Sequence, residues 1–148
     1  ERLVGSEMCI RDSCIKDGIR QVQTLENFKL ISASFQDQQI TVPHDPLLLK
    51  RAIVNLLENG IEAATSRVRV SVLRKDNNTI IKVCDDGAGM DETKVPVYLQ
   101  GRGQSGKANR QAFGLSSTNH IVRSHGGKLI YRKSDLGGSS FEIRLGVI

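Results

Sequence analysis

The chain has 148 residues, 39% hydrophobic and 25% charged, which is enough apolar matter for the core of one domain and excludes a wholly disordered chain. Its net charge of +5, from 21 basic and 16 acidic residues, admits a nucleic acid or a bound polyphosphate as partner, as well as a plain solvated surface. No apolar run reaches the roughly 18 residues of a membrane span. Three cysteines, Cys9, Cys14 and Cys84, show neither metal-ligand spacing nor the even count of a disulfide framework, so a reducing compartment and no structural bridge are expected.

Residues 1–13 lack the basic-then-apolar layout of a signal peptide. The stretch resembles translated sequencing-adapter read-through and is expected to be a non-native leader, so it is left out of the fold. Residues 14–26 carry a weak helical pattern through Ile15, Ile19, Val22 and Leu25. Two short strands are expected at 28–35 and 39–42, with a polar turn at Gln36–Gln38. Asp45-Pro46 is a helix start, with Asp as N-cap and Pro at the first helical position, where its missing N–H costs nothing. The run 46–64 then places Leu49, Ile53, Leu56, Leu57 and Ala64 at helical spacing.

Val68, Val70 and Val72 alternate along a strand at 67–75. Asp76-Asn77-Asn78 supplies a turn, and 79–84 reads as the return strand. Residues 86–113 are rich in Gly, Ser, Gln and Lys, with Pro96 inside, and form a long stretch of poor periodicity, the kind that is functional or disordered in a compact domain. A helix is expected over 115–125, stopped by Gly126-Gly127. Strands at 128–133 and 139–145 end the chain. Strand pairs with interspersed helices predict a mixed sheet with helices on one face, an α/β domain.

Three local patterns carry chemistry. On the first helix Asn55, Asn59 and Glu62 sit at i, i+4 and i+7 and share one face with Arg51. Asparagine is a poor residue for a helix interior, and two amide oxygens there are hard ligands suited to Mg²⁺; the bland alternative is a solvated polar face. Next comes Asp85-Asp86-Gly87-Ala88-Gly89-Met90, straight after an apolar strand. Its glycines let the backbone turn sharply and approach a ligand, and a carboxylate at the strand end can accept from an exocyclic amine, although an ordinary Asp-Gly turn has the same letters. The third is Phe113-Gly114-Leu115-Ser116-Ser117, opening the last helix, where free N–H groups suit phosphate oxygens.

Together and in this order the three resemble the GHKL family of ATP-binding domains, which includes histidine kinases, DNA gyrase and MutL-type repair proteins. Asn55–Ala64 corresponds to its N box, Asp85–Gly89 to its Asp-x-Gly-x-Gly segment and Gly114-Leu115 to the end of its flexible lid. His125-Gly126-Gly127, followed by a strand pair ending Gly-Gly-Ser-Ser-Phe-Glu-Ile-Arg-Leu, is similar to the usual end of a histidine kinase. The resemblance covers roughly residues 27–146 and implies a two-layer α/β sandwich of the Bergerat type: a mixed sheet under about three helices, with a flexible ATP lid. Residues 14–26 would then end a dimerisation region, and 27–148 would be the catalytic domain.

By resemblance, the cofactors are ATP and Mg²⁺. Asp85 binds the adenine amino group, with Gly87, Gly89 and Met90 around the base. Asn59, with Asn55 near it, ligates Mg²⁺, and Glu62 belongs to the same box. Lys107 or Arg110 in the lid reaches the phosphates, and Gly114 and Leu115 lie over phosphates and base. Hydrolysing members carry Glu where Asn55 stands. Asparagine cannot take a proton from water at neutral pH, which favours transfer to a protein histidine over hydrolysis. The implied partners are a dimerisation and phospho-acceptor domain of a homodimeric parent and a response regulator receiver domain. This domain would be cytoplasmic, in a parent that is either soluble or membrane-anchored. The lid departs from the family pattern: Ala112 stands where Gly is usual, no clear Phe-Thr-Thr-Lys segment occurs, and Gly60 replaces Ala.

Gly101–Ala108 nearly spells a P-loop, but Ala108 has no hydroxyl for Mg²⁺ and no apolar strand precedes it. His44-Asp45 mimics a phospho-acceptor pair but lies in a turn. Two alternatives to the kinase stay open: an ATP-binding module that has lost catalysis, and a GHKL-type ATPase. With 4% aromatic residues and no Trp, single-stranded nucleic acid has few stacking platforms, and no nucleic-acid partner is expected.

Overall fold

A computed structural model describes residues 7–23, 29–36, 40–100 and 107–146, except for the side chains of 7–9, 11–13 and 107–113. Its centre is a five-stranded mixed sheet of β2 (Leu30–Phe35), β4 (Arg67–Lys75), β5 (Asn78–Asp85), β7 (Ser139–Gly146) and β6 (Lys128–Lys133), in the order β2-β4-β5-β7-β6. The β2–β4 pair is parallel and the other three are antiparallel. The β4–β5 hairpin turns through Asp76 and Asn77, both at positive φ (52° and 64°), a conformation that Asp and Asn tolerate better than most residues.

Alternation sorts the sheet into two faces. Val68, Val70, Val72, Ile81, Val83, Phe141 and Ile143 are buried in one core cluster with Leu49, Ile53, Leu56 and Leu57 of α2 (Pro46–Ala63) and Ile121 and Val122 of α4 (Lys107–Ser124). The other face is polar. There Glu142, 3% exposed, is ringed by Lys82 (3.8 Å), Arg132 (3.3 Å) and Arg144 (3.2 Å). A carboxylate this buried needs such partners, because an unpaired charge there would cost several kcal/mol on the order of the desolvation penalty.

Helix α2 starts where the sequence places it. The Asp45 side chain accepts from Leu47 N and Leu48 N, and Pro46 occupies the first turn. A short helix α1 (Asp17–Gln23), entered through a π-helical turn at Arg11–Lys16, packs on α2 and buries Gly18 against Ile53. Residues 7–9, which were set aside from the fold, form β1 and pair with β3 (Thr41–Pro43). Strands β2 and β3 do not pair with each other. Within 86–113 the chain makes a 3₁₀ turn, Glu92–Lys94, and a short helix α3, Val95–Leu99, which Pro96 opens rather than interrupts. Among the described residues no helix is long and apolar enough to cross a membrane.

The last helix departs from expectation. α4 begins at Lys107 and not at Leu115, so Gly114 lies inside it. Ala108, Arg110, Gln111 and Ala112 are all good helix formers, and one interior Gly costs only about 1 kcal/mol. The helix ends as expected, with Gly126 at φ +75° and Gly127 N–H donating to Val122 O.

The two helices are also tied end to end. His125 Nδ1 lies 2.8 Å from Ile121 O, and its Nε2 accepts from Asp45 N–H at 3.0 Å. His44, next along, is 1% exposed, and burial pushes its pKa below 6.5. A histidine whose folded pKa is depressed leaves the fold unpenalised above its unfolded pKa, and the penalty grows as pH falls through that value toward the folded one. The unfolding midpoint should therefore drop as pH falls from 7 through the unfolded histidine value toward the lower folded one. In His44→Gln that drop should shrink, and an equal drop in the variant would exclude His44 as its source.

Candidate active site

The site is built around the end of β5. Asp85 is 2% exposed. Its Oδ1 accepts from Gly87 N (2.9 Å) and Ser139 N (3.2 Å), and its backbone O accepts from Gly138 N (3.2 Å). No described residue donates to Oδ2. Burial pushes the Asp85 carboxyl above the usual carboxylate range, only partly offset by the two backbone N–H groups. A largely buried carboxylate with one oxygen held by backbone N–H groups and the other still accessible can accept from an incoming donor.

Asp86, one residue on, has a different task. Ser66 Oγ–H (2.6 Å) and the N–H groups of Thr65, Ser66 and Arg67 donate to it and hold its carboxyl well below the usual range. It fastens the turn between α2 and β4. The adjacent aspartates of the motif thus divide into one buried acceptor at the strand end and one structural clamp.

Gly87 passes so close to α2 that a Cβ on it would lie 2.1 Å from Ala63 O. Asn59 is one turn back from Ala63, about 6 Å along the axis. It is 9% exposed, and its Oδ1 is buried without a hydrogen-bond partner. Among the described residues the only other such side-chain atom is Thr79 Oγ1, at the opposite end of β5, roughly 20 Å from Asp85. An orphaned buried amide oxygen costs about 1–3 kcal/mol and is a hard donor of the kind that suits Mg²⁺. Asn55 is half-buried on the same helix, and Glu62 is exposed.

Beyond Gly87 the chain reverses at Gly89, at φ +86°. Met90 is then held by Tyr131 of β6: Met90 N–H donates to the hydroxyl (3.2 Å), and the hydroxyl donates to Met90 O (3.1 Å). The Tyr131 ring packs edge-on against Phe141 at 5.3 Å. An open cavity of about 350 Å³ is lined by Ala88, Gly89, Met90, Asp91, Glu92, Tyr131 and Lys133.

The lid residues fare less evenly. Lys107 and Arg110 lie in the first turn of α4, where side chains are outside the described residues, as is all of 101–106. Gly114 is half-buried, with its O accepting from Thr118 Oγ1–H (2.8 Å), and Leu115 is a core residue at 1% exposure. The expected free N–H groups at 113–115 are not a helix terminus, because α4 starts two turns earlier. Three contributors escaped the sequence reading: Gly138, Ser139 and Tyr131. The Gly-Gly-Ser-Ser run leading into β7 was the available signal for the first two.

Comparisons with known proteins bear on the family and the fold. The family model for "Histidine kinase-, DNA gyrase B-, and HSP90-like ATPase" matches residues 44–147. The signal transduction histidine-protein kinase AfsQ2 of Streptomyces coelicolor is 33% identical over 106 residues, 68% of this chain and 20% of that protein. Sporulation kinase B of Bacillus subtilis is 25% identical over 98% of this chain and 35% of its own. This chain thus spans about a fifth to a third of these curated relatives. Among solved structures, the catalytic domain of histidine kinase ThkA in a nucleotide-free form superposes with a TM-score of 0.81 at 16% identity, covering 95% of this chain and 96% of that one. The mycobacterial sensor histidine kinase MprB gives a TM-score of 0.83 at 19% identity, covering 97% of each chain. At such identities the structures speak for the fold alone, whereas the family model spans most of the chain and both boxes. The chain belongs to the histidine kinase-, DNA gyrase B- and HSP90-like ATPase family, as a catalytic ATP-binding domain of the sensor histidine kinase type.

Proposed function

We propose that this chain binds Mg-ATP between α2, the 85–90 turn and the lid, and that the γ-phosphoryl passes to a histidine on a separate dimerisation domain and then to a response regulator receiver domain. Residues 27–148 are the catalytic unit, and 14–26 connect it to the dimerisation region of a homodimeric parent. The domain works on the cytoplasmic side, where ATP is. The observation that carries this proposal is Asp85: a buried carboxylate with one oxygen locked by backbone and the other open, at the mouth of a glycine turn. It suits the exocyclic amine of adenine and rejects a base that offers a carbonyl there.

Asn59 and Asn55 are the residues that would hold Mg²⁺, and the orphaned Asn59 Oδ1 fits that role. Bound Mg²⁺ neutralises charge on the phosphate oxygens. The chain's own contribution is positioning. Asp85 and Ser139 N–H fix the base end, α2 presents its amides to the phosphate end, and Lys107 or Arg110 supplies positive charge from the lid. Asn55 stands where a general base for water would be needed, which favours transfer over hydrolysis.

The test is phosphotransfer from γ-labelled ATP to the parent's dimerisation domain, supplied separately. Transfer to that domain is expected, with no label on this chain alone. Asn59→Ala should lower transfer by at least about a hundredfold while leaving the unfolding midpoint unchanged or higher, since the orphaned oxygen is gone. Free phosphate released at the same rate with and without acceptor would point to an ATPase, and ATP binding without any transfer to a degenerate module.

A further inference from the structure

The 85–90 turn frames the base end of the site, yet little holds it. Gly87 is tethered to Asp85, and Asp91 caps the 3₁₀ turn that follows. Between them, among the described residues, Ala88, Gly89 and Met90 make hydrogen bonds to one side chain only, the hydroxyl of Tyr131, which satisfies both polar groups of Met90. Gly89 adds the conformational freedom of a glycine at positive φ. Tyr131 itself is well placed to act as a fixed post. It stands on β6 opposite Phe141 of β7, and its ring is braced there by the edge-on contact.

We propose that Tyr131 is a positioning residue for nucleotide binding: its hydroxyl, reaching from β6 on the sheet face it shares with Phe141, sets the conformation of the turn against which the base rests. This rests on the nucleotide-binding function proposed above. It involves no contact between Tyr131 and substrate. A loose turn samples conformations in which the base pocket is not formed, and the apparent affinity falls by the fraction of time the pocket is absent. The phosphates and the transfer step are served by other elements, so the effect should fall on binding and not on chemistry.

The test compares Tyr131→Phe, which keeps the braced ring and removes only the hydroxyl, with Phe141→Leu, which loosens the ring and keeps the hydroxyl. Titration of Mg²⁺ and the ATP analogue AMP-PNP into Tyr131→Phe should give about tenfold weaker binding, in line with the loss of two hydrogen bonds to one partly buried group. Phe141→Leu, which keeps the hydroxyl, should bind more tightly than Tyr131→Phe despite a lower unfolding midpoint. Amide exchange at Gly89 and Met90 should quicken in Tyr131→Phe but not in β5 or β7. In transfer to the acceptor domain, KM for ATP should rise while kcat holds, which a general structural weakening would not produce. Binding by Tyr131→Phe equal to that of the unaltered chain, equal weakening in both variants, or loss of cooperative unfolding in Tyr131→Phe would each overturn the proposal. Failure of the unaltered chain to bind AMP-PNP overturns the nucleotide-binding function as well. If the unaltered chain binds, Asp85→Asn does not and Tyr131→Phe is normal, only the role of Tyr131 falls.

Discussion

Replacing Asp85 by Asn is expected to abolish nucleotide binding while leaving the free domain as stable as before, or more so. The amide oxygen can take over the place of Oδ1 and accept from Gly87 N and Ser139 N. The amide nitrogen then occupies the open position and points N–H groups at an incoming amine, which replaces a hydrogen bond with two opposed donors. A loss of at least about a hundredfold in affinity follows from such a mismatch in a buried site. Stability moves the other way because the unaltered carboxyl is held above its normal pKa by burial. A carboxyl whose folded pKa exceeds its unfolded one weakens the fold at neutral pH. That penalty is complete above the folded value and absent below the unfolded value of about 4. The variant's unfolding midpoint should therefore exceed that of the unaltered chain near pH 7, and the advantage should vanish near pH 4. Calorimetric titration with Mg-ATP and thermal unfolding at the two pH values check both halves. Binding within about threefold of the unaltered chain would remove Asp85 from the base site.

Gly138→Ala should damage the site and the fold together. A Cβ there would lie 2.0 Å from Asp85 Oδ1, 2.6 Å from Gly87 N and 2.8 Å from Asp85 O. These atoms belong to backbone or to a short side chain already fixed by hydrogen bonds, so none can swing away. Overpacking of this kind costs about 1–3 kcal/mol, and at about 4 °C per kcal/mol for a domain of this size the midpoint should fall by about 4–12 °C. Relief of the clash must push Asp85 or the 87–89 turn out of place, so nucleotide affinity should drop by more than about tenfold. Gly114→Ala is the matching control. Nothing lies within 4 Å of its would-be Cβ, and it sits inside α4, so alanine should stabilise by about 0.5–1 kcal/mol. A Gly138→Ala midpoint equal to that of the unaltered chain would mean that the β5–β7 junction has slack that these distances deny.

Signals written within a few residues of one another were legible in the sequence. Asp45-Pro46 starts α2 because capping involves only the next two N–H groups. The β4–β5 hairpin follows from alternating valines and a turn of Asp76 and Asn77, both local preferences. The N box and the Asp85 turn could be recognised as well, since their spacing repeats a family pattern. The start of α4 was misplaced because Gly114 looks like a boundary when taken alone. A glycine deficit of about 1 kcal/mol does not stop a helix whose preceding residues favour it.

What the sequence alone determined is the family, the α/β class and the candidate ends of the nucleotide site, Asn59 and Asp85. What only tertiary structure decided is how that site is held. Ser139 N–H donates to a carboxylate 54 residues earlier in the chain, and the Tyr131 hydroxyl grips a backbone 41 residues away. Tertiary structure also separated Asp85 from Asp86, identical letters with opposite pKa shifts, because one is largely buried at the strand end and the other is held by the Ser66 hydroxyl and three N–H donors. Burial and long-range hydrogen bonds are properties of the packed sheet, and no short run of residues encodes them.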